Sequence, residues 1–290
     1  MNAAKVLIVG AGLAGCTAAR ELADGGVLVC LIDIAEKVGG KVRGYGCKAS
    51  DKCSKCGVCL TAGLWEAVEG HENVQFFPQT RLVDLAGDVA WVRDSDGVRT
   101  IDGLERVIVA TGFRAVDGEI ERLLRGRDGD GLLEFSKKPP RSVAFVQCYR
   151  SRSVREDAFH CSRVCCDYAT RAAMVIKHFY PLCRVVFFYT DMRAADGFIN
   201  GVRYVRRRVE PEDIRGLFDY VVLAEGIRAD DGAGQLAEIC GLEQDESGFL
   251  RNVYEPRVLL AGCVSGPKGI KETYNEAVGL AKEVLLSCQT

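Results

Sequence analysis

Eight of the chain's fourteen cysteines fall in two short segments, and thiols at that density can do chemistry. Between Gln147 and Arg171 stand Cys148, Cys161 and the neighbours Cys165 and Cys166, four within nineteen residues. Between Gly46 and Leu60 stand Cys47, Cys53, Cys56 and Cys59, spaced C-x5-C-x2-C-x2-C. Soft thiolates suit zinc and iron–sulfur clusters. The short C-x2-C steps let the backbone turn about one metal, and Gly57 eases that turn. Lys48, Lys52 and Lys55 are placed to offset the negative charge of a thiolate site. Three chemistries stay open for this set: a 4Fe–4S cluster, a structural zinc and a reactive cysteine patch. Leu60 follows Cys59 where a bacterial-ferredoxin run closes on proline. The other six cysteines (Cys16, Cys30, Cys183, Cys240, Cys263, Cys288) sit singly, mostly in apolar surroundings, and read as small buried side chains.

These residues need elements to position them. An apolar run, Ser142 to Gln147, reads as a strand that delivers Cys148. At the N-terminus, residues 5–40 read as a βαβ unit: a strand over 5–9, a helix over 16–23, and a strand over 27–32 ending at Asp33. Gly10, Gly12 and Gly15 form GxGxxG between the first strand and the helix. Such glycines permit a tight turn and close approach of a pyrophosphate to the helix N-terminus. Asp33, about 20 residues on, is placed to accept a hydrogen bond from a ribose hydroxyl. With a strand before it, a helix after it and an acid at the next strand's end, the motif is a dinucleotide site.

Composition narrows the class. The chain has 290 residues, 48% apolar and 27% charged, with net charge −2 and a pI near 6.0. That balance carries no basic footprint for nucleic acid. No run reaches the roughly 20 apolar residues of a membrane span. No cleavable leader is expected, so the expected location is cytoplasmic, where structural disulfides explain cysteines poorly. No Ser/His/Asp set or paired carboxylates stand out. His160 adjoins Cys161 and reads as an ordinary exposed histidine or as one placed to hydrogen-bond a cluster sulfur.

The rest of the chain reads as α/β. Residues 72–105 form short strands with a hairpin turn at Asp96–Gly97. Residues 116–140 are charged and glycine-rich and end in a proline pair, which suggests a crossover between lobes. A helix over 168–178 and strands over 184–189 and 219–226 predict a parallel second lobe. The predicted domains are 1–114, 115–251 and 252–290, the first and last forming one lobe. Arg203 and Arg206 to Arg208 make a basic edge, either a solvated strand face or a docking surface.

Three segments resemble the FAD domain of the glutathione-reductase and thioredoxin-reductase superfamily. They are Gly39-Gly40-Lys41, Ala110-Thr111-Gly112, and the stretch from Gly262 through Lys268 to Ile270. The resemblance implies a Rossmann-like FAD lobe and a final helix, about 271–287, aimed at the flavin. The helix dipole and Lys268 would favour an anionic reduced flavin. In a two-nucleotide flavoprotein a glycine-rich turn follows the strand over 142–147; here cysteines follow it.

The whole chain resembles, more closely, the A subunit of heterodisulfide reductase. Gln147-Cys148-Tyr149-Arg150-Ser151-Arg152, His160 to Cys166, and Ala261 to Lys268 carry the likeness. In that family the C-x12-C-x3-CC pattern binds a 4Fe–4S cluster in a thioredoxin-reductase-like lobe, which implies Cys148, Cys161, Cys165 and Cys166 as ligands. The resemblance implies one FAD, that 4Fe–4S cluster, and electron transfer to other redox subunits or a ferredoxin-type carrier, with bifurcation as one chemistry; with Cys47, Cys53, Cys56 and Cys59 read as iron–sulfur ligands, the expected cofactors are one FAD and two 4Fe–4S clusters. It further implies pairing of two copies. It places Arg171 and Lys268 by the flavin as catalytic residues. Arg171 stands where that family commonly has lysine, a point charge replaced by a planar fork. Ferredoxin-like modules common in the family are not seen here. Short relatives serve sulfur metabolism, quinone-interacting complexes and anaerobic aromatic-acyl-CoA reduction. The competing reading is a stand-alone NAD(P)H-dependent flavin oxidoreductase; a third is a zinc-stabilised scaffold.

Overall fold

A computed structural model describes residues 4–47, 49, 52–115, 139–156, 158–193 and 197–288. Most of the predicted crossover over 116–140, and Lys48, lie outside the described residues. The chain parts into two compact units. The first comprises Met1–Arg43, Cys59–Arg114 and Arg228–Thr290; the second comprises Gly44–Val58 and Ala115–Ile227.

In the first unit β1 (Lys5–Val9) runs through a glycine turn into α1 (Leu13–Asp24) and β2 (Leu28–Ile32). The helix begins three residues earlier than predicted, because Gly12 caps it and Gly15 lies inside it. A short α2 (Leu64–Glu69) leads to β3 (Val74–Phe77). An antiparallel meander follows: β4 (Arg81–Ala86), β5 (Val89–Asp94) and β6 (Gly97–Ile101). Its last hairpin turns at Ser95–Asp96, one residue before the predicted pair, and Gly97 opens β6 with φ +128°. Asp94 fixes that turn by accepting from the Asp96 N–H at 2.9 Å. Then β7 (Arg106–Val109) enters the main sheet.

In the second unit β8 (Ser142–Tyr149) precedes α3 (Cys165–Phe179), β9 (Arg184–Tyr189), β10 (Val202–Arg206) and β11 (Tyr220–Glu225). The chain then returns to the first unit with α4 (Ala233–Cys240), β12 (Val258–Leu260) and α5 (Ile270–Cys288).

The main sheet of the first unit has the order β12-β7-β1-β2-β3, every pair parallel. Parallel strands are covered on both faces, so they read as continuous apolar runs. Alternation along β1 sends Val6 and Ile8 to one core and Leu7 and Val9 to the other. The first core packs α1 on α5 through Ala14, Ala18, Ala277 and Ala281, whose small side chains allow close approach. The second core holds Ala233, Ala237, Cys240 and Leu250 together with Leu82 and Val92. Residues 228–251, predicted in the second lobe, therefore belong to the first unit, because their apolar face is buried against the meander side of the main sheet.

The second unit has the parallel order β10-β9-β8-β11. Val143 and Phe145 of β8 pack with Ala169, Ala172 and Ile176 of α3, and Phe145 stacks on Phe187 at 4.6 Å. The helix starts at Cys165, ahead of the predicted Tyr168, so the paired cysteines form its first turn. Asp219 ties down the start of β8 by accepting from the Arg141 and Ser142 N–H groups, each at 2.8 Å.

The first unit turns on Gly15. A Cβ there would stand 1.8 Å from the Gly10 carbonyl oxygen, whereas one on Gly12 meets nothing within 4 Å. Gly15→Ala should destabilise by about 2 kcal/mol and lower the thermal midpoint by roughly 5 °C. Gly12→Ala should cost well under 1 kcal/mol, as a capping change alone. Circular-dichroism melts of both variants check this; equal midpoints would contradict the packing argument.

Candidate functional site

The carboxyl edge of the first sheet brings most of the expected dinucleotide residues together. Gly10 donates to the Ile32 carbonyl at 2.8 Å and Gly39 to the Ala11 carbonyl at 2.7 Å. Gly10, at φ +109°, passes so near Ala110 that a Cβ would lie 2.5 Å from its carbonyl oxygen. A Cβ on Gly40 would lie 3.0 Å from the Gly12 Cα. Asp33 ends β2 with one carboxylate oxygen accepting from Ala11 N–H at 2.6 Å and the other from Ala35 N–H at 2.7 Å. Each oxygen keeps a further lone pair for a ribose hydroxyl.

These residues fit a dinucleotide. The space beside Gly12 and Gly112 is open. The first turn of α1 follows Gly12 and carries no acidic side chain, and the N–H groups of a helix's first turn have no carbonyl partner within the helix. Thr111 carries a buried hydroxyl oxygen with no hydrogen-bond partner, a group that a ligand would satisfy. Lys41 lies in a 3₁₀ turn, Gly40–Gly44, with its ammonium 5.6 Å from the Phe113 ring centre.

Lys268 is held by groups around the turn that precedes α5. Its ammonium donates to the Gly262 carbonyl at 2.8 Å and the Ser265 hydroxyl at 2.6 Å, and pairs with Glu276 at 3.1 Å. Its charge is thus largely offset inside its own turn. Glu276 also accepts from Gly262 N–H at 2.7 Å, so this acid, unnoticed in the sequence, fixes the turn before α5. Ile270 opens that helix and packs on the first core.

In the second unit β8 delivers Cys148, 3% exposed, in a left-handed conformation with φ +58°. Arg150, Arg152 and Arg163 are also left-handed, as is Lys55 in the first cysteine segment. Such a conformation costs a non-glycine residue on the order of 1–3 kcal/mol and concentrates where a site imposes it. Cys165 and Cys166 are buried in the first turn of α3, where the helix dipole favours thiolate. Cys165 donates a hydrogen bond that pulls the Cys166 thiol down to about 7. The same bond pushes Cys165 up, aided by burial and by the charges of Cys166, Cys148 and Cys161. Burial pushes Cys148 up, with Cys166 and Cys161 adding to it. The four thiols therefore share one electrostatic neighbourhood.

Thiols are soft donors, the ligand type a thiolate-held cluster takes. Among the described residues, no group of three or more His, Cys, Asp or Glu is arranged to hold a metal ion as it stands. His160 does not face a sulfur through Nε2, which lies 2.7 Å from the Ile227 carbonyl. Gln147, which the sequence marks only as part of the cysteine stretch, has a distinct place in the structure. It is 3% exposed, and both polar atoms of its side-chain amide lack partners. A polar side chain inside an otherwise apolar strand was the available signal.

The other cysteine segment is more open. Cys47, Cys53 and Cys59 are exposed and Cys56 half-buried. Ala49 N–H points at the Cys47 sulfur at 3.4 Å, and Lys55 N–H at the Cys53 sulfur at 3.3 Å. Cys59 sits in a 3₁₀ turn, Val58–Thr61. Arg171, expected beside a flavin, lies on α3 with its Nε donating to the Ser54 carbonyl at 3.0 Å and its guanidinium 3.9 Å from Asp167. It acts in this structure as a tether between α3 and the first cysteine segment.

The family model for pyridine nucleotide-disulphide oxidoreductases matches residues 4–146. The chain has the pyridine nucleotide-disulphide oxidoreductase fold. The expectation of an oxidoreductase is met by that match, which also indicates FAD as the dinucleotide. Solved structures agree on this fold. Lactococcus lactis thioredoxin reductase aligns at TM-score 0.60 with 14% identity, covering 98% of both chains. The sulfide:quinone oxidoreductase of Aquifex aeolicus aligns at 0.61 with 14% identity, covering 99% of this chain and 77% of its own.

Among curated proteins the chain is similar to the A subunits of heterodisulfide reductases, as its motifs implied. That of the ferredoxin:CoB-CoM heterodisulfide reductase of Methanosarcina mazei is 22% identical over 97% of this chain and 52% of its own length. That of the H(2):CoB-CoM heterodisulfide,ferredoxin reductase of Methanothermobacter marburgensis is 30% identical over 60% of this chain and 36% of its own. The chain thus spans about half or less of these relatives. Among the described residues no helix is long and apolar enough to cross a membrane.

Two outcomes follow from this packing. Arg171→Ala should speed amide exchange across residues 52–58 about tenfold, and Arg171→Lys less, since a lysine can still reach the carbonyl. Unchanged exchange in Arg171→Ala would remove the tether. Of the six scattered cysteines five are buried, and burial pushes Cys16 and Cys240 up to about 12. Thiolate then appears only near that pH, so both should resist iodoacetamide from pH 7 to about 10 until the chain unfolds. Mass spectrometry of alkylated peptides reads this; native labelling of either would contradict it.

Proposed function

We propose that the chain is the electron-transfer flavoprotein component of a heterodisulfide-reductase-like assembly in the cytoplasm. FAD would lie in the first unit, and Cys148, Cys161, Cys165 and Cys166 would hold a 4Fe–4S cluster in the second. Cys47, Cys53, Cys56 and Cys59 are proposed on their spacing as the ligands of a second cluster. One observation carries the reading: β8 runs into four thiols of one neighbourhood, where a second dinucleotide would need a glycine turn. The names of the relatives, as heterodisulfide reductase subunits, support it.

When bound, FAD exchanges two electrons and each cluster one. The chain's own residues bind, orient and shield these groups. Gly10, Gly12 and Gly15 admit a pyrophosphate to the helix N-terminus, and Asp33 orients the ribose. Gly39, Gly40 and Lys41, with Thr111 and Gly112, line the approach of the remaining arm. Glu276 and Lys268 hold the turn after β12 in place, a positioning role. The dipole at the start of α3 stabilises negative charge on Cys165 and Cys166. Other redox subunits, pairing with a second copy, and bifurcation belong to the same reading.

The test is iron, sulfide, zinc and FAD content on anaerobically purified protein. The reading expects about eight irons and one FAD per chain. About four irons would withdraw the second cluster. Zinc without iron, or flavin bleached by NADH at catalytic rates, would overturn the reading, the latter in favour of a stand-alone NAD(P)H-dependent flavin oxidoreductase.

A further inference from the structure

A buried polar group without a hydrogen bond is costly, so each one calls for a partner. Among the described residues Gln147 is the only side chain with two buried polar atoms that lack one, Nε2 and Oε1. It is 3% exposed and stands in β8 directly before Cys148.

Topology puts this amide at the thiol end of the second unit. Strands β8 and β9 are parallel and α3 lies between them in the chain, so α3 runs back against the direction of β8. The start of α3, with Cys165 and Cys166, therefore lies at the end of the sheet where β8 finishes. Side chains alternate along a strand. Val143 and Phe145 pack with α3, whereas Ala144 and Val146 enter the opposite core with Ile214. The same alternation turns Gln147 to the α3 side, one step nearer the first turn of that helix than Phe145.

Two further observations point to this place. The pairing of β8 with β11 loses register here: Val146 meets Leu223 and Tyr149 meets Glu225, so Gln147 and Cys148 together stand opposite Ala224. An extra residue of this kind re-aims a side chain and recurs beside functional sites. Thr170, one turn after Cys166 on α3, is fully buried, and its hydroxyl oxygen also has no hydrogen-bond partner. A strand amide and a helix hydroxyl, both unsatisfied beside buried thiols, suit a group that accepts hydrogen bonds and that the protein itself does not supply.

We propose that the Gln147 side-chain amide donates a hydrogen bond to a sulfur of the cluster held by Cys148, Cys161, Cys165 and Cys166 and so raises its reduction potential. The inference rests on the reading that those cysteines hold a cluster. Anionic sulfur repels the amide oxygen and attracts the NH2 group, which fixes which end of the amide faces it. Reduction adds one negative charge, so a fixed donor stabilises the reduced state more than the oxidised one; hydrogen bonds to sulfur are among the features that set such potentials. Gln147 is thus a tuning residue, neither a ligand nor a source of electrons.

The test is a potentiometric titration of the intact, anaerobically purified protein, followed by electron paramagnetic resonance on the signal that Cys148→Ser removes. Gln147→Met keeps an unbranched side chain of similar length and removes the amide. At a fixed applied potential it should lower the ratio of reduced to oxidised cluster about tenfold, which is about 59 mV for one electron. Val146→Ala, a packing change at the neighbouring residue that removes no donor, should alter that ratio less than about twofold. Wild type isotope-labelled at the nitrogen of its glutamine side chains should show a nitrogen hyperfine coupling to this cluster. That readout needs no variant and decides the matter where Gln147→Met assembles poorly. An unshifted potential in Gln147→Met, an equal shift in Val146→Ala, or labelled wild type without the coupling would each overturn the proposal; the last is the result expected if buried water satisfies the amide. Iron and sulfide are measured on every sample. Wild type without iron, or without a signal that depends on Cys148, overturns the underlying reading and the proposal with it; iron-loaded protein whose potential ignores Gln147 overturns the tuning alone.

Discussion

The left-handed turn at Cys148 is the constraint on which the second unit depends. Near its end β8 is distorted rather than regular: Cys148 takes φ +58°, and the pairing with β11 shifts register before Tyr149 meets Glu225. Past that distortion the chain reaches α3, whose first turn holds Cys165 and Cys166. A glycine would form the turn at lower cost, but a glycine has no thiol. The strain at Cys148, Arg150, Arg152 and Arg163 is understandable as the cost of holding sulfur at this edge.

The first unit solves the same geometric problem with glycine. Gly10 and Gly15 bring backbone against backbone at distances no side chain allows, and Asp33 closes the far end of the site. The two sheets thus share one topology, parallel strands with chemistry at their carboxyl ends. One edge carries closely packed glycines and Asp33, and the other gathers buried thiols. That pairing links the oxidoreductase fold to the reading of an electron-transfer protein.

Much of this was legible in the sequence for physical reasons. Doubly covered strands read as continuous apolar runs, so β1, β2, β8 and β9 stood out, and GxGxxG with a later acid located the nucleotide edge. Other features depend on contacts distant in sequence. Nothing near Lys268 announced that Glu276, eight residues on in the next helix, would neutralise it. Nothing near Arg171 announced that its partner would be the Ser54 carbonyl. Residues 228–251 alternate weakly, and their place beside the meander follows from which apolar face they cover. Gln147 was hidden because one amide in an apolar strand looks like a tolerated exception.

The most direct measurement is electron paramagnetic resonance on the dithionite-reduced protein, comparing wild type with Cys148→Ser. The account predicts a fast-relaxing iron–sulfur signal that is lost or altered in the variant, while FAD content and the second cysteine set's contribution persist. A wild-type spectrum without an iron–sulfur signal, or one indifferent to Cys148, would contradict the claim that the edge of the second sheet holds a cluster.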